Sequence, residues 1–443
     1  MEIDTGTTAW LLICTALVML MTPGLAFFYG GMSRAKSVLN MMLMSFVSIA
    51  IVSVLWIALG WSLTYTDGGA LNSFIGGLSE VGTGSVINDV DVLDEEAGIA
   101  IPVMVDVGFQ MMFAVITVAL ISGAIADRAR FGAWLVFVPV WAVLVYFPVA
   151  HWVWGGGWIE ELTLGGESVI DFAGGTAVHI NAGAAALALA IVLGRRRGFG
   201  SETHKPHNVP FVLLGAALLW FGWFGFNAGS AYGADGVASL AVVNTQVAVA
   251  GATIAWLLVE KLRYGRMTAL GFGSGVIAGL VGITPAASTV TPIGAILVGV
   301  LAGGVCAYAI SWKYLLRYDD ALDVVGLHMV AGIIGSVAIG LLSASVAGEG
   351  VDGLLYGGGS ALLGVQVIAV LGVLAYSFVL TLGIAKVIDL VMGFRLPAEV
   401  ETNGVDRELH AEAAYAFTEL VSDPQTSSST PSDEERPTVV TNG

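Results

Sequence analysis

Two stretches, Asp171-Phe-Ala-Gly-Gly-Thr-Ala-Val-His179 and Asp320-Ala-Leu-Asp-Val-Val-Gly-Leu-His328, each place a histidine eight residues after an aspartate in otherwise apolar sequence. An ionisable side chain near the middle of a bilayer costs roughly 2.5–3.5 kcal/mol or more, so such residues usually serve a function. A single histidine of this kind could equally be a hydrogen-bonded core residue. The presence of two histidines at matched positions favours the interpretation that both lie along a transport pathway.

The composition excludes an ordinary soluble domain. Of 443 residues, 56% are hydrophobic, 12% are charged and 59 are glycine. A transmembrane helix needs about 20 apolar residues, and eleven stretches are long enough, at roughly 7–31, 38–65, 101–125, 131–152, 172–194, 208–230, 238–260, 267–284, 291–312, 324–345 and 359–392. The sequence therefore predicts an all-α polytopic protein of the plasma membrane with eleven transmembrane helices.

Basic residues occupy only alternate connections between these spans. Of the 17 lysines and arginines, 16 follow odd-numbered spans and Lys386 lies near the end of span 11, whereas the other loops have no Lys or Arg and most of them contain acidic residues. Because Lys and Arg beside a span are retained in the cytoplasm, the pattern places the N-terminus outside and the C-terminus inside.

The repeated Asp-to-His spacing marks spans 5 and 10. Since five is odd, spans 1–5 and 6–10 are predicted to form an inverted repeat, with the transported species passing between the halves, and span 11 would brace the bundle. We predict a membrane domain over 1–395, a cytoplasmic region over 396–423 and a disordered tail over 424–443, which is rich in Ser, Thr and Pro.

The net charge of −17 argues against a nucleic-acid partner. Acidic surfaces without matching lysines suggest a high-salt habitat, such as that of a halophilic archaeon, because salt screens the repulsion between carboxylates. Cys14 and Cys306 both lie in apolar spans, so the sequence predicts neither a disulfide framework nor a metal cluster. No cofactor is expected.

Aromatic residues near the outer mouth, among them Trp154, Phe113 and Phe226, could hold a small cation against their ring faces, although interfacial tryptophans often serve only as anchors. Asp171, at the start of span 5, is expected to cap that helix and also to favour a cation nearby. Deeper in the bundle the candidate lining keeps neutral hydrogen-bonding groups, chiefly the two histidines. Such a path suits a small polar solute better than bare Na⁺ or K⁺, which need several oxygen ligands.

Three runs of sequence now become recognisable: Asp171–Asn181, Gly222-Trp-Phe-Gly-Phe-Asn-Ala-Gly-Ser230 and Pro23–Met32. They resemble the ammonium transporter family (Amt/MEP/Rh), and the likeness covers about residues 7–420. The resemblance implies a homotrimer whose eleven-helix protomers each contain a narrow hydrophobic pore.

The resemblance also implies roles for individual residues. These are Trp154, Phe113, Ser230 and Asp171 for an outer ammonium-binding site; Phe113 and Phe226 for a phenylalanine gate; and His179, His328 and Trp223 for the pore lining. The segment from Gly393 to Asp406 resembles the family's cytoplasmic C-terminal region. This likeness implies nitrogen regulation through a PII-type signalling protein bound at the cytoplasmic face.

The resulting hypothesis is an ammonium transporter or channel and not an enzyme. NH₄⁺ would bind at the aromatic mouth and lose a proton, and ammonia would pass the two histidines into the cytoplasm. One alternative is an Rh-type neutral channel for NH₃ or CO₂, and another is an ammonium sensor acting through a PII partner. A redox or metal enzyme with His179 and His328 as axial ligands is disfavoured, because helical haem sites of that kind usually come with further histidine pairs.

Overall fold

The computed structural model of the chain describes residues 3–94, 99–201 and 205–415. Within these residues, eleven helices are long and apolar enough to cross a membrane, and we label them α1 to α11. They are Thr5–Met32, Val38–Tyr65, Val103–Ile125, Phe131–Trp154, Gly175–Leu193, Val209–Gly229, Gly236–Tyr264, Ala269–Ala286, Pro292–Leu316, Val325–Leu342 and Ala361–Met392. The predicted eleven-span helical membrane protein is confirmed, with every helix within a few residues of its predicted span.

Shorter elements lie in the connections and were not predicted. Strand β1 (Val90–Asp94) pairs with β2 (Ile99–Pro102), and β3 (Thr163–Leu164) pairs with β4 (Glu167–Ser168), both antiparallel. After α11 follow two short helices, α12 (Ala398–Asn403) and α13 (Val405–His410). The predicted disordered tail, together with the last part of the predicted 396–423 region, lies outside the described residues.

Two pairs of matching spans in the two halves share the same departures from regular helix. Helices α3 and α8 both end in a 3₁₀ turn, Ser122–Ile125 and Thr284–Ala286. Helices α5 and α10 both begin with a π-helical turn, Gly175–Ile180 and Val325–Met329, that carries the histidine. Such π turns are often found at functional positions. This correspondence between the halves agrees with the predicted inverted repeat.

Glycines let the two halves pack closely. A Cβ atom on Gly215 of α6 would lie 2.3 Å from the Phe28 nitrogen of α1, and one on Gly31 of α1 would lie 2.7 Å from the Asn208 oxygen. Helices in lipid associate through such close contacts, because lipid supplies no hydrophobic drive between them. Helix α11 packs against α4, α5 and α10, as expected of a brace.

The bundle has two chemically different ends. The acidic end carries loops 66–94, 99–102, 155–174, 230–235, 287–291 and 343–360. The basic end carries loops 33–37, 126–130, 194–201, 205–208, 265–268 and 317–324 with the segment 393–415. At the basic end, Arg196 binds the Asp319 carboxylate through Nε and Nη2, both at 2.9 Å. Burial raises the pKa of Asp319, but the hydrogen bonds from Arg196 and the charges of Arg128 and Arg196 outweigh it and lower the pKa to about 2.

Candidate functional site: a path between two cavities

The loop before α5 is organised around the Asp171 side chain. Its carboxylate accepts hydrogen bonds from the backbone nitrogens of Gly174, Gly175, Thr176 and Ala177 and from the Thr176 hydroxyl. Gly174 has a φ of +106°, a conformation that strains other residues. Burial raises the pKa of Asp171, and the hydrogen bonds from Thr176, Ala177 and Gly175 oppose that shift. Asp171 therefore caps the π turn that carries His179.

Asp320 does the same for the other half of the repeat. Its carboxylate accepts hydrogen bonds from the backbone nitrogens of Val324 at 3.1 Å and Val325 at 2.7 Å, just before His328. Burial raises the pKa of Asp320 to about 6, although the charge of Lys313 opposes the shift. The matched Asp-to-His spacing thus reflects the same capped π turn in each half of the repeat.

The two histidines face each other in the middle of the bundle. Their Nδ1 atoms are 3.3 Å apart, and their ring centroids 5.4 Å apart. Gly332 of α10 permits this approach, because a Cβ atom there would lie 3.2 Å from the Cβ of His179. The His179 ring stacks on Trp223 at 5.4 Å, and the Trp223 indole nitrogen donates to Thr284 Oγ1 at 2.9 Å. The Nε2 atom of His179 has no hydrogen-bond partner among the described residues.

Two phenylalanines lie between the histidines and the acidic end. The rings of Phe113 and Phe226 stack with centroids 4.2 Å apart and planes 20° apart, and both are almost fully buried. Trp154 stands edge-on to Phe113 at 6.1 Å, and its indole nitrogen donates to the Asp171 backbone oxygen at 3.0 Å. The Ser230 hydroxyl donates to the Phe226 backbone oxygen at 3.0 Å.

The stacked phenylalanines separate two spaces of different size. On the acidic side lies a cavity of about 570 Å³, which we call the acidic cavity; its lining includes Asp91, Asp106, Gln110, Phe113, Trp154, Glu160, Asp171, Ser230, Tyr232 and Glu349. Beyond the stack lies a cavity of about 10 Å³ lined by Phe226, Trp223, both histidines and other apolar side chains, which we call the narrow cavity. A volume of about 10–15 Å³ holds one water-sized molecule, so the narrow cavity has room for a small neutral molecule and not for a hydrated ion.

A third cavity, of about 270 Å³, opens at the basic end. Its lining includes Arg196, Lys313 and Asp323, and the Lys313 ammonium lies 2.6 Å from the Asp323 carboxylate. The basic end is therefore held by ion pairs of Asp319 and Asp323 and by the cap at Asp320.

The paired histidines offer complementary hydrogen-bonding atoms. In a neutral imidazole one ring nitrogen carries a proton and the other accepts. When one Nδ1 donates to the other, one Nε2 remains an acceptor and the other remains an N–H donor. The pair can thus bind a molecule that both donates and accepts hydrogen bonds, without a net charge.

The structure places all of the sequence-predicted site residues along one path. Ser230, Trp154, Asp171 and Phe113 line the acidic cavity, whereas Phe226, Trp223, His179 and His328 line the narrow cavity. The sequence analysis missed Asp106, Gln110 and Tyr232, which meet in the acidic cavity. A signal was available, because Asp106 is the only charged residue in the stretch 103–125.

Comparisons with known proteins agree with this architecture. The family model described as Ammonium Transporter Family matches residues 9–415. A protein of Mycobacterium bovis named ammonium transporter is 51% identical over 94% of this chain and 91% of its own length. The crystal structure of Saccharomyces cerevisiae Mep2 superposes with a TM-score of 0.82 at 34% identity, covering 90% of this chain and 89% of that chain. A structure titled Sensor Amt Protein has a TM-score of 0.81 at 28% identity, covering 92% and 98%.

Proposed function

Because this chain belongs to the ammonium transporter family, we propose that it binds NH₄⁺ in the acidic cavity, deprotonates it near the stacked phenylalanines and conducts ammonia past His179 and His328. One observation carries the proposal: the Phe113–Phe226 stack stands between a wide acidic cavity and a narrow cavity that contains the two histidines. The narrow cavity would then select the neutral molecule.

Cation recruitment is supported by the lining of the acidic cavity. Four carboxylates besides Asp171 line it, and none of its lining residues is Lys or Arg. Trp154 and Phe113 add aromatic rings, which attract a cation by about 2 kcal/mol where water is partly excluded. The Ser230 hydroxyl donates its hydrogen to the Phe226 carbonyl, which leaves its oxygen free to accept from ammonium.

Deprotonation is supported by the size and polarity of the narrow cavity. An isolated ion transferred into such surroundings would lose its hydration at a cost of many kcal/mol. Ammonia avoids that cost, and it can both donate to and accept from the two histidines. The proton therefore leaves before the molecule passes the phenylalanine stack and goes to water or to a carboxylate of the acidic cavity. In this proposal the proton then crosses by a route separate from that of ammonia, so that transport carries a net current.

We further propose that the acidic end faces outward and the basic end faces the cytoplasm, in accord with the distribution of Lys and Arg. The segment 393–415 would then lie at the cytoplasmic surface, where α12 and α13 could contact a PII-type regulator. Assembly into a homotrimer is part of the same proposal and follows from the family resemblance.

Two alternatives predict different behaviour. An Rh-type channel would pass NH₃ or CO₂ without cation recruitment, and it would not need Trp154 and Ser230 at the mouth. A sensor would bind ammonium without sustained conduction, and one of the similar structures carries that title. The acidic cavity and its aromatic rings favour the cation-recruiting transporter over the neutral channel.

The test is the ammonium-evoked current of purified protein in liposomes on a solid-supported membrane. We would compare the parent protein with the double variant His179→Ala, His328→Ala, and use His207→Ala at the basic end as the histidine control. A saturable parental current that changes only in the double variant supports the proposal. Internal alkalinisation without current would indicate a neutral channel, and ammonium binding without either signal would indicate a sensor.

A further inference from the structure

Three side chains in the acidic cavity form a hydrogen-bonded chain on the side away from the stacked phenylalanines. The Tyr232 hydroxyl contacts Asp106 Oδ1, and the Gln110 amide nitrogen lies 2.7 Å from the Tyr232 oxygen. Asp106 and Gln110 are only 6% and 7% exposed, yet both line the cavity. This chain lies on α3 and on the loop after α6.

The direction of these hydrogen bonds follows from the chemistry of the end groups. When Asp106 is ionised its carboxylate can only accept, so Tyr232 donates to Asp106 and Gln110 presents its NH₂ group to the Tyr232 oxygen. The remaining oxygens, Asp106 Oδ2 and Gln110 Oε1, accept no hydrogen bond from any residue within the described ranges. Two acceptor oxygens on buried side chains are therefore left for a ligand.

Helix capping does not account for Asp106. An acidic residue in a first helical turn is often stabilised by backbone N–H groups and by the helix dipole. Among the described residues, however, Asp106 accepts only from the Tyr232 hydroxyl, and α3 has no side-chain cap. A positive charge bound beside the Asp106 carboxylate would compensate for its burial without backbone partners.

The position of the chain relative to the aromatic site is set by α3. Asp106, Gln110 and Phe113 are spaced i, i+4 and i+7, so they share one face of the helix. At 1.5 Å per residue, Asp106 lies about 10 Å from Phe113 along the helix axis. An ion held at Asp106 would therefore lie two turns closer to the open end of the cavity.

We propose that Asp106 and Gln110, oriented by Tyr232, form a second ammonium-binding subsite that receives the ion before it reaches Phe113, Trp154 and Ser230. Ammonium has four N–H donors, and the two unpaired oxygens supply a charged and a neutral acceptor for them. The inference rests on the proposed transport function. It adds a recruiting residue, Asp106, that the sequence resemblance did not indicate.

The test measures saturable ammonium current for Asp106→Asn in liposomes. We expect the apparent KM to rise about threefold to tenfold, the order expected for losing a screened charge at this range, with the maximal current within about twofold of the parent. Asp106→Glu keeps the charge and should restore the KM. Asp67→Asn is the control, because Asp67 is an exposed acidic-end residue that is not among those lining the cavity.

Two further variants distinguish a local binding subsite from a general electrostatic effect of the cavity and from a folding defect. Glu349→Gln removes another carboxylate of the cavity, and an equal KM shift there would show a diffuse field and overturn the subsite. Tyr232→Phe keeps the charge but releases Asp106 and Gln110, and we expect a smaller rise in KM with unchanged protein yield. An unchanged KM in both Asp106→Asn and Tyr232→Phe would refute the subsite alone, whereas absence of ammonium current in the parent would refute the proposed function.

Discussion

At the scale of single residues, hydrogen bonds outside the rings fix the aromatic groups of the path. The Trp154 indole is tied to the Asp171 backbone, and the Trp223 indole to Thr284. Because the hydrogen bond already fixes the ring, the ring loses little conformational freedom when a cation binds to its face. This preorganisation favours binding. The orientation of Trp154 therefore depends on the Asp171 loop as well as on its own helix.

We expect Trp154→Leu to weaken ammonium binding and to lower the selectivity for ammonium over methylammonium. The substitution removes the ring face, worth up to about 2 kcal/mol of cation attraction, and widens the space beside Phe113. The ratio of the currents evoked by ammonium and by methylammonium in liposomes would measure this selectivity. Trp158→Leu is a matched control at the same end, since Trp158 packs against Trp152 and is not among the residues lining the acidic cavity. Equal selectivity losses in the two variants would contradict the prediction.

At the scale of helices, glycine determines how closely α7 and α9 pack. A Cβ atom on Gly299 would lie 2.0 Å from the Ala248 oxygen, and one on Gly303 would lie 2.1 Å from the Ala252 oxygen. Neighbouring Gly304 has nothing within 4 Å of such an atom. One face of α9 is therefore in direct contact with the α7 backbone, whereas another has room for a side chain.

Gly303→Ala should lower the thermal stability of the detergent-solubilised protein, because the added methyl group would force α9 away from the α7 backbone. Overpacking of this kind costs about 1–3 kcal/mol. Gly304→Ala should leave the melting temperature unchanged or raise it slightly, since alanine is the better helix former by about 1 kcal/mol. Thermal unfolding followed by tryptophan fluorescence would compare the two, and similar melting temperatures would show that the close approach is not needed.

At the scale of the whole molecule, the segment after α11 joins several elements of the basic end. Glu401 is 2% exposed and accepts hydrogen bonds from the Arg197 backbone nitrogen at 2.7 Å and from Arg395 at 2.9 Å. Asp406 accepts from the backbone nitrogens of Leu39 and Asn40, at the start of α2. The C-terminal segment is thus bound to the start of α2 and to the loop between α5 and α6.

Replacing Glu401 by Gln should loosen this attachment, because a neutral amide binds the Arg395 guanidinium less strongly than a carboxylate. We expect limited proteolysis within 396–415 to proceed about fivefold faster or more, as local opening becomes easier. Glu399→Gln, at an exposed position of α12, should behave like the parent. Mass spectrometry of the cleavage products over time would provide the rates, and identical rates for Glu401→Gln and the parent would show that the carboxylate does not hold the segment.

Sequence reasoning identified most of the path, and the residues it missed show its limit. Trp223, Phe226, Ser230 and the two histidines were indicated by repeated or recognisable runs, and Phe113 and Trp154 by the family resemblance. Their roles in ammonium transport stay predictions that the proposed experiments address. Asp106 and Tyr232 belong to no such run, and the hydrogen bonds from Tyr232 to Gln110 and Asp106 cross 122 and 126 positions of sequence. Periodicity and motifs carry no information on such a pairing.

The sequence by itself determined the eleven spans and the chemical difference between the two ends, because hydrocarbon thickness and charge act on each segment separately. It also determined the caps at Asp171 and Asp320, which bind groups only three to six residues away. Only the tertiary structure decided that Phe113 stacks on Phe226 and that His179 meets His328 across 149 positions. Those contacts depend on which helix faces which neighbour, and that choice is made by packing among all the helices together.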